Sequence, residues 1–423
     1  MTDSGRVDGH KGFPARADGV PFAEIGGLGL RLLHGDCPMP VAVLRAAAIA
    51  HNGDWMRRFT ALAGVQLCPH GKTTMSPELF ARQAADGVWG MTAATAHHVR
   101  LYRRWGVRRI LLANQLVAPG DIALILDALA RDADWEFHLL ADSIEGVTRL
   151  ADAAAARGIA GRINLLVEVG APGGRTGVRD LAGGMAVAQA IHARRDMLML
   201  RGVEAFEGIY PADPDGAAAT DTLLDRVAAL AHAIHEAGMF APGEIVLTAG
   251  GSALFDLCAR RLGALRLDGR ESVVIRSGCY ISHDHGVYAR AIAAVRERMP
   301  AIAALGEGPR AALEVWAVVQ SAPEPGRVIA SLGKRDIGQD AEMPIPSFWF
   351  RPGLHEAPVA MPAGHRVTTL FDQHAYVDGP AGLAIGDLLG FGVSHPCTTF
   401  DKWRAILLVD EDYVATGAVT TAF

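Results

Sequence analysis

Between residues 65 and 275, short apolar runs alternate with longer amphipathic or Ala-rich stretches. The runs cover residues 65–69, 88–93, 109–113, 136–141, 163–169, 202–206, 244–248 and 272–275. Each is about one strand long. Most are flanked by helical patterns, at 77–86, 96–105, 119–131, 144–157, 181–194, 217–237 and 254–260. Strand alternating with helix predicts a parallel sheet. Eight repeats predict closure, so the expected fold is α/β, a (β/α)8 TIM-like barrel. A doubly wound open sheet is the alternative, but it calls for a Gly-rich turn after its first strand. No G-x-G-x-x-G follows residues 65–69.

Beyond residue 305 the texture changes. Helical stretches become rare, Pro and Gly rise, and β-like runs fill 312–320, 327–332, 365–371, 375–377 and 406–409. These predict a C-terminal antiparallel β domain. Residues 27–34 are also strand-like and are assigned to that domain. The expected organisation is a flexible tail at 1–20, a strand at 21–40 joining the β domain, a barrel at 41–305, and a β domain with a metal site at 306–423.

The length of 423 residues fits one barrel of about 250 residues plus a smaller domain. A net charge of −6 leaves no basic footprint for nucleic acid. No apolar run of membrane-spanning length lacks charge, and the polar start has no signal-type core. Five scattered cysteines (Cys37, Cys68, Cys258, Cys279 and Cys397) argue against a disulfide framework and for a reducing, cytoplasmic location.

Barrel chemistry sits at the C-terminal ends of the strands. The first strand ends in Pro69-His70-Gly71-Lys72-Thr73-Thr74, and Lys72 is the one lysine between Lys11 and Lys334. A lysine held at a strand end suits a Schiff base, because its amine pKa yields readily to burial; the plainer alternative is a surface-loop lysine. Gly250-Gly251-Ser252 after the seventh strand can present bare N–H groups to an anion, aided by the next helix N-terminus. Gly278-Cys279-Tyr280 after the eighth can close the other side. Each of these turns also reads as a simple turn. In the β domain, His395 and Cys397 stand two apart and on an extended segment point the same way. Imidazole with thiolate suits zinc, against the alternative of a Pro-containing loop with a stray His and a buried Cys.

Taken in order, Pro69-His70-x-Lys72-Thr73, Arg175-x-Gly177-Val178, Gly250-Gly251, Gly278-x-Tyr280 and His395-x-Cys397 resemble the fold-type III pyridoxal-phosphate enzymes of the D-serine dehydratase and D-threonine aldolase group. That group shares its barrel with alanine racemase, and the resemblance runs roughly from Gly27 to Trp403. It implies pyridoxal 5'-phosphate on Lys72, with His70 and Arg175 beside it. The phosphate would lie on Gly250, Gly251, Ser252, Gly278 and Tyr280. A divalent metal, zinc ahead of manganese or magnesium, would sit on His395 and Cys397. It implies a homodimer acting on a small D-amino acid. A Cys at the second metal position goes with dehydration of a D-β-hydroxy amino acid to a 2-keto acid and ammonia. An Asp there goes with aldol cleavage to glycine and an aldehyde. A non-catalytic cofactor carrier and an amino acid racemase are the remaining alternatives. The carrier is disfavoured by the β domain, and the racemase needs a second acid/base.

The sequence departs from the group twice. Thr73-Thr74-Met75 replaces a His and a second Lys, and Phe206-Glu207-Gly208-Ile209 replaces Tyr-x-Gly-His. Tyr210, His283 and His285 are candidates for the missing histidine's work. Asp284 is expected to orient its loop, and His374 is a candidate third metal contact or outer partner. His97 and His98 read as a solvated or capping pair. Cys68 and Cys279 read as packing.

Overall fold

In the computed structural model, residues 5–251 and 253–423 are described. Strand β1 (Val41–Arg45) leads into helix α1 (Ala46–Ala63). The barrel strands follow as β2 (Gln66–Leu67), β3 (Met91–Ala93), β4 (Arg109–Gln115), β5 (Glu136–Ala141), β6 (Ile163–Val169), β7 (Leu198–Ala205), β8 (Ile245–Ala249) and β9 (Glu271–Ile275). They form one parallel sheet in the order β2-β9-β8-β7-β6-β5-β4-β3. A parallel bridge between His70 and Thr92, with Thr92 N–H donating to the Pro69 carbonyl at 2.9 Å, joins the two ends. The expected barrel is therefore closed, and the open-sheet alternative falls.

Local chemistry explains why each strand turns into a helix. Ser76, Thr95, Ser143, Asp180 and Asp213 each accept a backbone N–H three residues on, capping the helices α2 (Pro77–Ala85), α3 (Ala96–Arg104), α5 (Ile144–Ala155), α6 (Leu181–Ala193) and α7 (Pro214–Glu236). Pro77 and Pro214, and Pro119 at the start of α4 (Pro119–Arg131), use the position where a missing N–H costs nothing.

Alternation along each strand decides what fills the barrel. Cys68, Leu111, Leu140, Leu166, Val246 and Val274 pack inside as one apolar cluster. Two residues further along their strands, Glu168, Thr248 and Arg276 are buried and polar. An apolar plug thus carries a polar layer at the C-terminal mouth.

The β domain comprises β10 (Leu313–Glu324), β11 (Arg327–Ala330), β12 (Ile345–Phe350), β13 (Val359–Ala360), β14 (Arg366–Leu370), β15 (Ala375–Asp378), β16 (Leu388–Gly392), β17 (Ala405–Val409) and β18 (Ala415–Thr420). β1 lies within this sheet, antiparallel to β10 and parallel to β17. Residues 41–45, expected in the barrel, thus belong to the other sheet; five buried or half-buried apolar-rich positions need two strand neighbours, which the barrel rim does not offer.

The N-terminus differs from expectation. Of the segment expected as a flexible tail, residues 5–20 pack down, with Val7, Phe13 and Ala17 buried. His10 meets Phe13 and Phe22 edge-on, and Lys11 lies 3.7 Å from the Trp403 ring while pairing with Asp336 at 3.0 Å. Residues 21–40 form 3-10 turns at Phe22–Leu28 and Leu32–His34 rather than a strand. Gly29 and Gly35 take the left-handed conformation and break the extended run. The segment does lie on the β domain, through Leu32 N–H to Tyr413 O and Ala415 N–H to Leu30 O. Among the described residues no helix is long and apolar enough to cross a membrane.

Candidate active site and metal centre

Lys72 sits in a short 3-10 turn (Gly71–Thr73) just past β2, exposed at the mouth of the barrel. It makes no hydrogen bond or ion pair with the described residues, so its amine is available. Gly71 is needed beneath it, since a Cβ there would come within 2.5 Å of the Tyr102 hydroxyl. His70 is held neutral: burial pushes its pKa well down, and Lys72, Arg276, His98 and Arg175 push it the same way. Of these, Arg175 and the Lys72 amine lie on the exposed side of the imidazole, while Arg276 is paired with Glu204 in the floor. The His70 Nδ1 is buried without a hydrogen-bond partner among the described residues. Arg175 stacks on Phe206, 4.2 Å from the ring centre, which fixes the guanidinium from below.

The polar layer forms the floor. Arg276 pairs with Glu204 at 2.5 Å and donates to the Ala205 carbonyl at 3.0 Å, with both side chains almost fully buried. Glu168 accepts from Gln115 and from the Thr176 hydroxyl, the latter at 2.8 Å. Burial, opposed by Arg276 but reinforced by Glu168 and Glu207, raises the Glu204 carboxyl to about 7.

The expected phosphate residues divide. Gly251 is beside the Phe206 ring, and Gly278 is so close to the His70 carbonyl that a Cβ would stand 2.4 Å from it. Gly250 adopts φ +83°, but its N–H donates to the Glu207 carboxylate at 2.9 Å, so it is not a bare donor for a phosphate. The Tyr280 ring also turns away from the rim. It is buried under α2 and its hydroxyl accepts from Gln83 at 3.3 Å. A large aromatic at a core-facing position is drawn inward, which the spacing alone did not reveal. Ser252 lies outside the described residues.

The metal-like pair comes from the loop after β16. Pro396 caps a short helix, α10 (Cys397–Phe400), so the segment turns rather than runs extended. The side chains nevertheless converge, and a third joins them. One ligand atom each from Cys279, His395 and Cys397 lies within 4.8 Å of the others. The two sulfurs are 3.6 Å apart, and the Thr73 hydroxyl is 3.6 Å from each. Cys279 therefore does more than pack. The hydrogen bond from Cys279, helped by His395, holds the Cys397 thiol well below its usual range. Burial opposes charge on His395, but Cys397 beside it prevails and raises its pKa. A thiolate–imidazole–thiol set fits a borderline-soft divalent metal.

Asp284 holds this corner together, as expected. It accepts from the N–H groups of Gly286 and Tyr288, both at 2.9 Å, and of Ala289 at 3.3 Å. The loop it shapes bonds the segment leading to His395 and Cys397 through His285 N–H to Val393 O and Val287 N–H to Ser394 O. Tyr288 stacks against His395 with ring centres 6.2 Å apart. His283 is buried and His285 half-buried, both lie outside the donor cluster, and His374 is exposed in the turn between β14 and β15. Tyr210 packs against the core. His98, read from sequence as a solvated or capping residue, is half-buried; burial first, then His97 and Lys72, bring its pKa down to about 4. Its N–H is indeed capped by Thr95, yet its ring belongs to the lysine's surroundings.

The alanine racemase N-terminal domain profile matches residues 44–266. This chain belongs to that family. A putative serine dehydratase domain profile matches residues 312–409, so the resemblance drawn from the motifs stands for both halves. A D-threonine aldolase from Arthrobacter sp. is 26% identical over 388 residues, 89% of this chain and 90% of that protein. A D-threo-3-hydroxyaspartate dehydratase from Delftia sp. is 28% identical over 251 residues, 58% of this chain and 61% of that protein. The crystal structure of a D-threonine aldolase from Filomicrobium marinum superposes with a TM-score of 0.74 at 21% identity, covering 93% of this chain and 97% of that one.

Proposed function

We propose that this chain is a lyase dependent on pyridoxal 5'-phosphate and a divalent metal. It would remove water and ammonia from a D-β-hydroxy amino acid such as D-serine, D-threonine or 3-hydroxyaspartate, leaving a 2-keto acid. One observation carries the reading: Thr73, the neighbour of Lys72, touches both sulfurs of the donor cluster at 3.6 Å. An amine suited to carrying the cofactor and a set suited to a Lewis acid therefore share one mouth.

When bound, pyridoxal phosphate supplies an electron sink for the Cα bond and the metal polarises the β-oxygen. The protein's residues do the rest. Lys72 anchors the cofactor and, as the free amine nearest the mouth, is the group to take the Cα proton. His70, kept neutral, supplies an imidazole beside it. Arg175, on Phe206, offers a fixed cation for the ring oxygen or the substrate carboxylate. Gly251 and Gly278, close to their neighbours, leave the backbone open to the phosphate. His395 and Cys397 hold the metal, with zinc favoured by thiolate.

The five cysteines are all free thiols, which supports a cytoplasmic setting, and the group's habit supports a homodimer. The aldolase reading is retained on the likeness to the Arthrobacter protein over most of the chain. Cys397 in the donor set favours dehydration. The test is to supply purified protein with pyridoxal phosphate and zinc and offer it the three D-amino acids. Ammonia with a 2-keto acid is expected. Glycine with an aldehyde and no ammonia would move the assignment to the aldolase. A Lys72→Ala variant that keeps both its cofactor absorbance and its turnover would remove Lys72 from the reading.

A further inference from the structure

We infer that Cys279 is a metal ligand, so that the centre is a Cys-Cys-His site for zinc with one position left open. The motif His395-x-Cys397 supplies two donors, which leaves four-coordination half complete. The structure adds a third from a different half of the molecule: Cys279 lies in a 3-10 turn (Cys279–Ile281) after β9, in the barrel.

The distances favour coordination over the other uses of two close cysteines. A disulfide needs its sulfurs about 2.05 Å apart, and these stand 3.6 Å apart. Two zinc–sulfur bonds of about 2.3 Å at a tetrahedral angle set the sulfurs about 3.8 Å apart. The imidazole fits the same sphere, since all three donors lie within 4.8 Å of one another and a side-chain adjustment of about 1 Å closes the rest.

The surroundings fit a bound thiolate. Cys279 is buried and contacts the Tyr288 hydroxyl, and Tyr288 in turn stacks on His395. The Thr73 hydroxyl, equidistant from the sulfurs, can donate to either once its proton is gone. Such outer partners orient ligands and hold them. The other cysteines lack these features. Cys68 is inside the barrel plug, and Cys258 is buried on α8 (Phe255–Gly263).

Two thiolates change what the centre takes. They neutralise the charge of a divalent ion and are soft donors, so zinc or cobalt is selected and magnesium or manganese excluded. Three protein ligands leave one exchangeable position, the pattern of a catalytic rather than a structural zinc. The inference deepens the metal half of the lyase reading without depending on which bond breaks.

The test counts sulfurs. X-ray absorption of the wild-type protein loaded with zinc alone should show two sulfur neighbours at about 2.3 Å. In the protein stripped by chelation and reloaded with cobalt alone, Cys279→Ser and Cys397→Ser should each keep about half of the thiolate-to-cobalt absorbance. Zinc affinity should fall in Cys279→Ser by more than the roughly 10–100-fold that losing an outer partner costs. One sulfur in the wild type, an unchanged cobalt spectrum in Cys279→Ser, or no zinc bound would each overturn the inference. If Cys279→Ser does not fold, the wild-type sulfur count decides alone. Two sulfurs with neither ammonia nor aldehyde released would keep the ligand set and remove the lyase.

Discussion

Glu204 is where two physical effects compete most sharply. It sits 1% exposed in the barrel floor, 2.5 Å from Arg276, with Glu168 and Glu207 also acting on it. If pairing dominates, the carboxyl is ionised, and replacing it strands a buried guanidinium at a cost of about 3–5 kcal/mol. If burial dominates, the carboxyl takes a proton near neutrality. The structure favours burial, because three carboxyls share one guanidinium and the Glu204 value rises from 4.5 to about 7. A raised acid binds more protons folded than unfolded, so its stabilisation is complete below about pH 4.5 and is lost as pH rises through about 7. A shift of this size amounts to about 3 kcal/mol. Glu204→Gln, which resembles the protonated acid, should match wild type near pH 5. Near pH 8 it should exceed wild type by up to about 3 kcal/mol. Over 423 residues, with an unfolding entropy of about 0.9 kcal/mol/K, that is about 3 °C in Tm. Thermal unfolding of both proteins across pH 5 to 8 reads it. A variant that is less stable at pH 8 would refute the reasoning and show that the ion pair governs.

Other substitutions test the neighbouring parts. Gly278→Ala drives a Cβ into the His70 carbonyl and should cost about 1–3 kcal/mol while weakening cofactor retention, read by Tm and by pyridoxal absorbance. Asp284→Ala strands three N–H groups, two of them buried, and should cost at least about 2 kcal/mol and lower zinc content. Asp284→Asn, which keeps an acceptor, should retain most of both. Deleting residues 1–20 removes Val7, Phe13 and Ala17 from the core and Lys11 from Trp403, so a lowered Tm is expected; an unchanged Tm would show that this segment contributes nothing.

The barrel was legible because its signal is periodic. Eight short apolar runs separated by capped amphipathic helices have few other solutions, and the lysine stood out by its isolation at a strand end. Strand β1 was hidden because five residues carry no mark of which sheet they join; that choice is made by partners near residues 315 and 407. The N-terminal segment looked loose because its buried residues follow neither period, as 3-10 turns around glycines do not. The direction of the Tyr280 ring and the partner of the Gly250 N–H were not legible for a related reason: a motif gives order along the chain, not which way a ring turns or which carboxylate has already taken an N–H. Cys279 could have been found only by asking which residues at the eighth strand end face a loop more than 110 positions later.

That separation has a consequence for how the two halves hold together. Thr73 and Cys279 come from the barrel, His395 and Cys397 from the β domain, and the loop shaped by Asp284 bonds directly to the segment leading to His395 and Cys397. A metal gripping both halves binds only when they meet, so its binding free energy adds to their association. At a free metal concentration 100 times its Kd, that contribution is about 2.7 kcal/mol. The same contact fixes the centre against Thr73, and so against Lys72 one residue away. The joint that positions the chemistry would thus also be the joint that a bound metal reinforces, and loss of metal should then loosen the domain contact before it unfolds the barrel, whose apolar plug and helices lie apart from the donor cluster.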